Sequence, residues 1–227
     1  MGFMKKVMYK LAGINEELYN LYVEKGPCEE YAEGYKALHS KKMKPMDYTT
    51  LADIYTTLEK YDEAEEMLGH VKVGIMTDDT IKGVYLLSKL NLLLGQDKGD
   101  EAYELFKKEQ KYLDIFFSAP AYRRSGMAYY DTAAVILAMN GQLQAAGYYY
   151  KLEQESSATY DNTGVYPMLT NVHMLKVMGN DITAEEAAAK AREYISNYNE
   201  FKFKWQKEQF LGMLDRYMSY NKEADSD

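Results

Sequence analysis

The sequence is poor in cysteine, proline and long apolar runs, and each shortage removes a class of structure. Cys28 is the only cysteine among 227 residues, so no disulfide can form within the chain, and a reducing compartment fits this composition. Only 4 prolines are present, and the one Asn-Gly pair, Asn140-Gly141, ends a helical pattern instead of joining two alternating strands. The usual signals of a β-sandwich are therefore missing.

The motifs of catalysis and of metal or cofactor binding are also missing. Of the three histidines, His39, His70 and His173, no two stand at the spacing of metal ligands. The chain has no phosphate loop, no dinucleotide-binding glycine pattern and no nucleophile elbow. Paired acids lie where helix starts or exposed helix faces are expected. We therefore expect no enzyme activity, no cofactor and no metal.

Charge and hydropathy limit the partners further. The net charge of −8 disfavours contact with phosphates, so we expect no nucleic acid to bind this chain. The longest apolar run, Leu92-Leu93-Leu94, is far shorter than the ~20 residues that cross a bilayer. No apolar segment typical of a secretory signal follows Lys5 and Lys6. These features predict a cytoplasmic protein without a membrane partner.

What the sequence does contain is helical periodicity. Good helix formers fill every periodic segment, and 47% of the residues are apolar. The segment from Leu51 to Val71 shows the pattern best, because its apolar residues recur every three or four positions in two successive stripes. Tyr61 opens the second stripe, and the acids that follow it favour a helix N-terminus. Ala52 and Ala64 are small residues on the two stripes and would let the helix axes approach closely.

This segment resembles a tetratricopeptide repeat. The residues that carry the resemblance are Leu51, Ala52, Tyr55, Tyr61 and Ala64, whereas Glu59 replaces the turn glycine and the closing proline is absent. Further copies are indicated by turn glycines at Gly26, Gly95, Gly141 and Gly179. The small residue of the second helix is expected at Ala32, Ala64, Ala102, Ala146 and Ala187. The family period is about 34 residues, and the spacing here is less regular.

The resemblance implies an all-α fold, a right-handed superhelical solenoid of about five hairpins with a C-terminal capping helix. We expect one domain over residues 1–220, with a first helix from Phe3 to Lys25, and an acidic tail over 221–227 that frays. An irregular helical bundle is the structural alternative.

The resemblance also implies a function. Repeats of this kind form a concave surface from their first helices, so we expect a non-catalytic domain that binds a protein or peptide, and a homo-oligomer is allowed. Counting back from each turn predicts groove residues at Glu16, Asn20, Thr49, Asp53, Thr56, Lys82, Tyr85, Lys89, Asp131, Val135, Tyr166, Leu169 and His173. Ordinary solvated side chains are the alternative interpretation of this set. Two other functions stay open: the sensor domain of a transcriptional regulator whose DNA-binding part is absent here, and a self-associating adaptor.

Overall fold

A computed structural model describes residues 15–74, 77–161 and 163–220. These residues form eleven helices and no strand, which confirms the predicted all-α class. Residues 3–14 of the expected first helix, and the tail over 221–227, lie outside the described residues. The helices are α1 (Glu16–Lys25), α2 (Glu29–His39), α3 (Pro45–Thr57), α4 (Tyr61–Gly69), α5 (Asp79–Gly95), α6 (Gly99–Ser118), α7 (Arg123–Met139), α8 (Leu143–Tyr160), α9 (Val165–Val177), α10 (Asp181–Asn197) and α11 (Trp205–Ser219).

The helices pack as successive hairpins. Each odd-numbered helix from α1 to α9 contacts the even-numbered helix that follows it. The first helices of neighbouring hairpins also contact one another, in the order α3, α5, α7, α9 and then α11. We call α1, α3, α5, α7 and α9 the first helices. Their contacts form a row through the molecule.

Four of the hairpins share one turn. The residues at its centre have positive φ angles of 59° at Glu59, 56° at Asp97, 68° at Gly141 and 74° at Gly179. In each turn the next residue donates its N–H to the carbonyl five positions before it, as Lys60 does to Tyr55 at 2.9 Å. This is the Schellman arrangement, which satisfies the free carbonyls at a helix end.

The third turn corrects the sequence prediction. Gly95 is still helical, and Asp97 takes the left-handed conformation instead. Gly95 is needed for close packing, since a Cβ atom there would lie 2.6 Å from Cε1 of Tyr61. The glycine therefore marks a helix contact, two residues before the turn.

The small residue of the second helix has a fixed place after the turn. Ala64, Ala102 and Ala146 each follow their turn residue by five positions and are fully buried. In the fifth hairpin that position holds Ala184, also fully buried, and the predicted Ala187 is only partly buried. The sequence alignment was therefore wrong by one helical turn in this hairpin, because both positions are alanines on neighbouring parts of the helix surface.

Three groups of buried side chains follow one another along the row. The first joins α2, α3 and α4, the second fills the space between α5 and α8, and the third joins α9, α10 and α11. Tyrosines belong to the middle group. The hydroxyls of Tyr129 and Tyr149 both donate to Oδ1 of Asp114, at 2.6 and 2.7 Å. Much of the unusual tyrosine content is thus used between helices.

The last helix returns to the first two hairpins. The indole of Trp205 packs on Gly26, and its ring lies 5.3 Å from that of Tyr22. At the other end of α11, Nε of Arg216 lies 2.7 Å from Oε1 of Glu59 in the turn after α3. The last helix therefore contacts the first two hairpins as well as α9.

Candidate functional site

The first helices carry a hydroxyl at the same place in four hairpins. Nine positions before each turn residue stand Thr50, Ser88, Thr132 and Thr170. Three of these hydroxyls donate to a polar side chain on the preceding first helix: Ser88 to Asp53, Thr132 to Asn91 at 2.7 Å, and Thr170 to Asp131 at 2.8 Å. We call these three pairs the hydroxyl ladder.

The hydroxyl ladder fixes how neighbouring first helices align. Ser88, Thr132 and Thr170 are buried, and a buried hydroxyl without a partner is costly. A shift of one first helix along its neighbour would break these bonds and leave Thr132 and Thr170 the carbonyls of Ala128 and Tyr166 on their own helices, at 2.8 and 3.1 Å. The ladder also places two carboxylates, those of Asp53 and Asp131, on the same side of the row.

Asp53 and Asp131 differ from ordinary surface acids. Asp53 keeps accessible surface, yet desolvation by the surrounding protein atoms raises its pKa to about 6. The hydroxyl of Ser88 acts in the opposite direction and lowers this pKa. Asp131 is partly exposed, and desolvation likewise raises its pKa to about 6. Water therefore reaches both acids although protein atoms surround them. Such a carboxylate gains more from a bound cation than a fully solvated one does.

Thr170 lies between two carboxyl groups. Its Oγ1 is 2.8 Å from Oδ1 of Asp131 and 2.8 Å from Oε1 of Glu153 on α8. One hydroxyl proton can serve only one of these acceptors, so one carboxyl must supply a proton of its own. Glu153 has no exposed surface, and its Oε2 has no hydrogen-bond partner among the described residues.

Glu153 is therefore the protonated member of the pair. Desolvation raises its pKa most, and the nearby charge of Asp131 raises it further. The neutral carboxyl of Glu153 donates to Thr170, and Thr170 donates to the carboxylate of Asp131. This chain of two hydrogen bonds joins α8, α9 and α7.

An aromatic stack closes the end of the row beside α11. The rings of His173 and Tyr217 lie 4.0 Å apart and are tilted by only 8°. Desolvation, and secondly the charge of Arg216, lower the pKa of His173 to about 4. His173 is thus neutral at pH 7 and acts here as a flat packing surface.

The predicted groove residues fall into three groups. Thr49, Val135 and Leu169 lie in the core, with 0%, 1% and 2% of their surface exposed, and so offer nothing to a ligand. The two lysines turn toward second helices, where Lys82 pairs with Glu109 at 3.0 Å and Lys89 pairs with Glu65 at 3.3 Å. The remaining residues keep accessible surface: Glu16, Asn20, Asp53, Thr56, Tyr85, Asp131, Tyr166 and His173.

The structure brings together only part of this last group. Asp53 and Asp131 belong to the hydroxyl ladder, and His173 stacks on α11, whereas Glu16 and Asn20 lie on α1 and take no part in the ladder. The sequence prediction missed Asn91 and Glu153. Asn91 could have been found by aligning the chain on its turn residues, since it stands six positions before Asp97, as Asp53 does before Glu59. Glu153 could also have been found, since it lies four positions after Tyr149 and seven after Ala146 on the apolar stripe of α8, whereas Glu155, the other acid of this helix, is exposed.

No family model matches the chain, and no match was found among the curated proteins or the solved structures. Among the helices described, none combines the length and the apolar character needed to cross a membrane. Within the same residues, no three side chains of His, Cys, Asp or Glu come together as metal ligands.

Proposed function

We propose that this chain is a non-catalytic, tetratricopeptide-like helical repeat protein that binds a protein or peptide segment on the row of first helices. The fold part of the proposal is supported by the repeated Schellman turn, the alanine five positions after it, and the contacts between successive first helices. A right-handed solenoid would produce these contacts. A cytoplasmic location belongs to the same proposal.

The observation that carries the binding function is the placement of Asp53 and Asp131. Both carboxylates are accessible, both are partly desolvated, and both are held by hydroxyls of the next first helix. A bound segment that places Lys or Arg beside Asp53 and Asp131 would supply a positively charged partner for these carboxylates. The amide of Asn91, between them in the row, can bond to a peptide backbone. The occupant is thus an extended segment with at least one cationic side chain.

The proposal is tested by selection from a phage-displayed peptide library on the purified protein at pH 7.5. Enriched peptides should contain Lys or Arg. The best peptide is then synthesised, and its affinity is measured by titration calorimetry with Asp53→Asn and Asp131→Asn. Loss of one charge-assisted contact, worth about 1.5 kcal/mol, should weaken binding about tenfold. Binding by the parent should also weaken below pH 6, where both acids take up protons.

The matched control is Asp62→Asn, because Asp62 is exposed on α4 and lies outside the row of first helices. A second variant, Asn20→Ala, asks whether the bound segment extends to the first hairpin. The proposal is wrong if the selected peptides show no cationic preference. It is equally wrong if they bind Asp53→Asn and Asp131→Asn as tightly as the parent.

A second candidate function, self-association, is favoured by a separate observation. Second helices expose large apolar side chains, namely Ile115 on α6 (65% exposed), Tyr148 on α8 (61%) and Ile182 on α10 (76%). Exposed apolar residues that form a contiguous patch are typical of interfaces. Sedimentation velocity of the parent and of Ile182→Lys distinguishes this function: an adaptor should form oligomers that the variant weakens, and a peptide receptor can stay monomeric.

A further inference from the structure

A groove-like cavity, open to solvent, is lined by residues of α8, by Thr163 and Gly164, by the first turn of α9 and by Tyr194 of α10. Its volume is about 490 Å³. Through Met168 and Tyr194 it continues into a second hollow of about 440 Å³. Pockets that hold small organic ligands have volumes of about 300–1,000 Å³, so this cavity is of suitable size.

One polar side chain on the cavity wall has an unmet hydrogen-bonding capacity. Ser157 is only 2% exposed, and its Oγ has no hydrogen-bond partner among the described residues. A buried hydroxyl is normally bonded, because desolvation without a partner is costly. Ser157 lines the cavity, so a bound group that accepts a hydrogen bond can satisfy it.

The start of α9 adds a second source of positive potential. This helix has 13 residues, and its N-cap residue, Gly164, provides no side-chain cap, although the Val165 N–H donates to Oγ1 of Thr163 at 3.2 Å. Gly164 and Pro167 both line the cavity. A helix N-terminus carries a partial positive charge and favours an electron-rich oxygen. Ser157 and the start of α9 therefore both favour a ligand group with a hydrogen-bond-accepting oxygen.

The rest of the wall defines the body of the ligand. Tyr150, Tyr194 and Met168 provide two aromatic rings and a thioether, which pack well against an aromatic ring. No charged side chain is found among the described residues that line the larger cavity, whereas Lys190 and Glu193 line the adjoining hollow. The carboxylate of Asp161 near the helix start already accepts from Thr163. A charged ligand confined to the larger cavity would lose its hydration without gaining an ion pair.

We infer that this cavity is a binding site for a neutral aromatic ligand that presents one hydrogen-bond acceptor to Ser157, near the start of α9. An aryl ketone, ester or amide has this chemistry. The site adjoins the hydroxyl ladder on α9 but uses other side chains, because none of Asp53, Asn91 and Asp131 lines it.

The inference is tested with acetophenone as the probe and protein labelled with ¹³C at its methionine methyl groups. Titration should shift the Met168 methyl resonance in a saturable way. Ser157→Ala should weaken the probe about fivefold, the effect of one neutral hydrogen bond. Ala158→Phe, which fills the cavity from an exposed position, should abolish the shift. Ethylbenzene, which is similar in size but has no acceptor, should bind the parent about as weakly as acetophenone binds Ser157→Ala.

The control is Thr159→Ala, since Thr159 is exposed on α8 and does not line the cavity. It should leave the titration unchanged, and thermal melts establish that every variant is folded. If acetophenone produces no saturable shift of Met168, the site does not exist. If ethylbenzene binds equally well, or if Ser157→Ala has no effect, the assigned role of the hydroxyl is wrong.

Discussion

Replacing Glu153 by Gln should abolish a pH dependence of stability that the parent protein shows above pH 7. Gln has the shape of a protonated glutamate, and its amide can donate to Thr170 as the neutral carboxyl does. The hydrogen bond from Thr170 to Asp131 would then persist. What changes is the proton, because Gln binds none in either the folded or the unfolded state.

The magnitude follows from the pKa. In the folded protein, burial and the charge of Asp131 raise the pKa of Glu153 from 4.5 to about 9. Between these values the folded state holds a proton that the unfolded state has released. The contribution of Glu153 to the free energy of unfolding is therefore highest below pH 4.5. Between the two pKa values it falls by about 1.4 kcal/mol per pH unit as the pH rises. At pH 7 the contribution of Glu153 to the free energy of unfolding is about 3 kcal/mol lower than it is below pH 4.5.

The titration of His173 limits the pH range in which the effect of Glu153 on stability can be measured. Its folded pKa of about 4 lies below the ordinary histidine pKa of 6.5, so His173 contributes stability that is lost as the pH falls from 6.5 to 4. This trend is opposite in sign to that of Glu153 and would mask it in acid. Asp131, with a raised pKa of about 6, also titrates below pH 7. Measurements from pH 7 to 8.5 avoid both groups.

The assay is urea unfolding followed by circular dichroism at several pH values in this range. The parent should lose about 2 kcal/mol between pH 7 and 8.5, and Glu153→Gln should stay level. Glu155→Gln is the control, since Glu155 lies on the same helix but is exposed beside Lys151, and it should behave as the parent does. The reasoning is refuted if the slopes of the parent and Glu153→Gln agree, or if the parent shows no slope.

Three further substitutions test the packing. Asp97→Gly should stabilise the protein by up to about 1 kcal/mol, because it relieves a left-handed conformation, and urea midpoints will measure the gain; no gain would mean that Asp97 has a compensating contact. Gly95→Ala should lower the melting temperature, because its methyl group would crowd Tyr61. Gly147→Ala should raise the melting temperature, because a methyl group there meets no atom within 4 Å. Equal effects of the two substitutions would contradict the close contact at Gly95. Ala64→Leu should cost ~1–3 kcal/mol in urea unfolding, because Ala64 is fully buried, and an unchanged midpoint would refute the close packing there.

Asp53 and Asp131 show how far sequence reasoning reached at the candidate site. Both were predicted from their distance to the next turn, because a helix repeats its faces in a fixed period. The same counting placed Val135 and Leu169 on the surface, yet both are buried. Their exposure depends on how deeply each first helix sits against its neighbours, which the period does not specify.

The sequence by itself determined the helices, because apolar spacing, caps and turn residues act over a few positions along the chain. It also determined the repeated alanine that lets two helices approach. Only the tertiary structure decided that Asp97 forms the third turn, that Glu153 faces Asp131 across Thr170, and that Arg216 reaches Glu59. These features depend on contacts between distant segments, whose geometry is set by the packing of all the hairpins together.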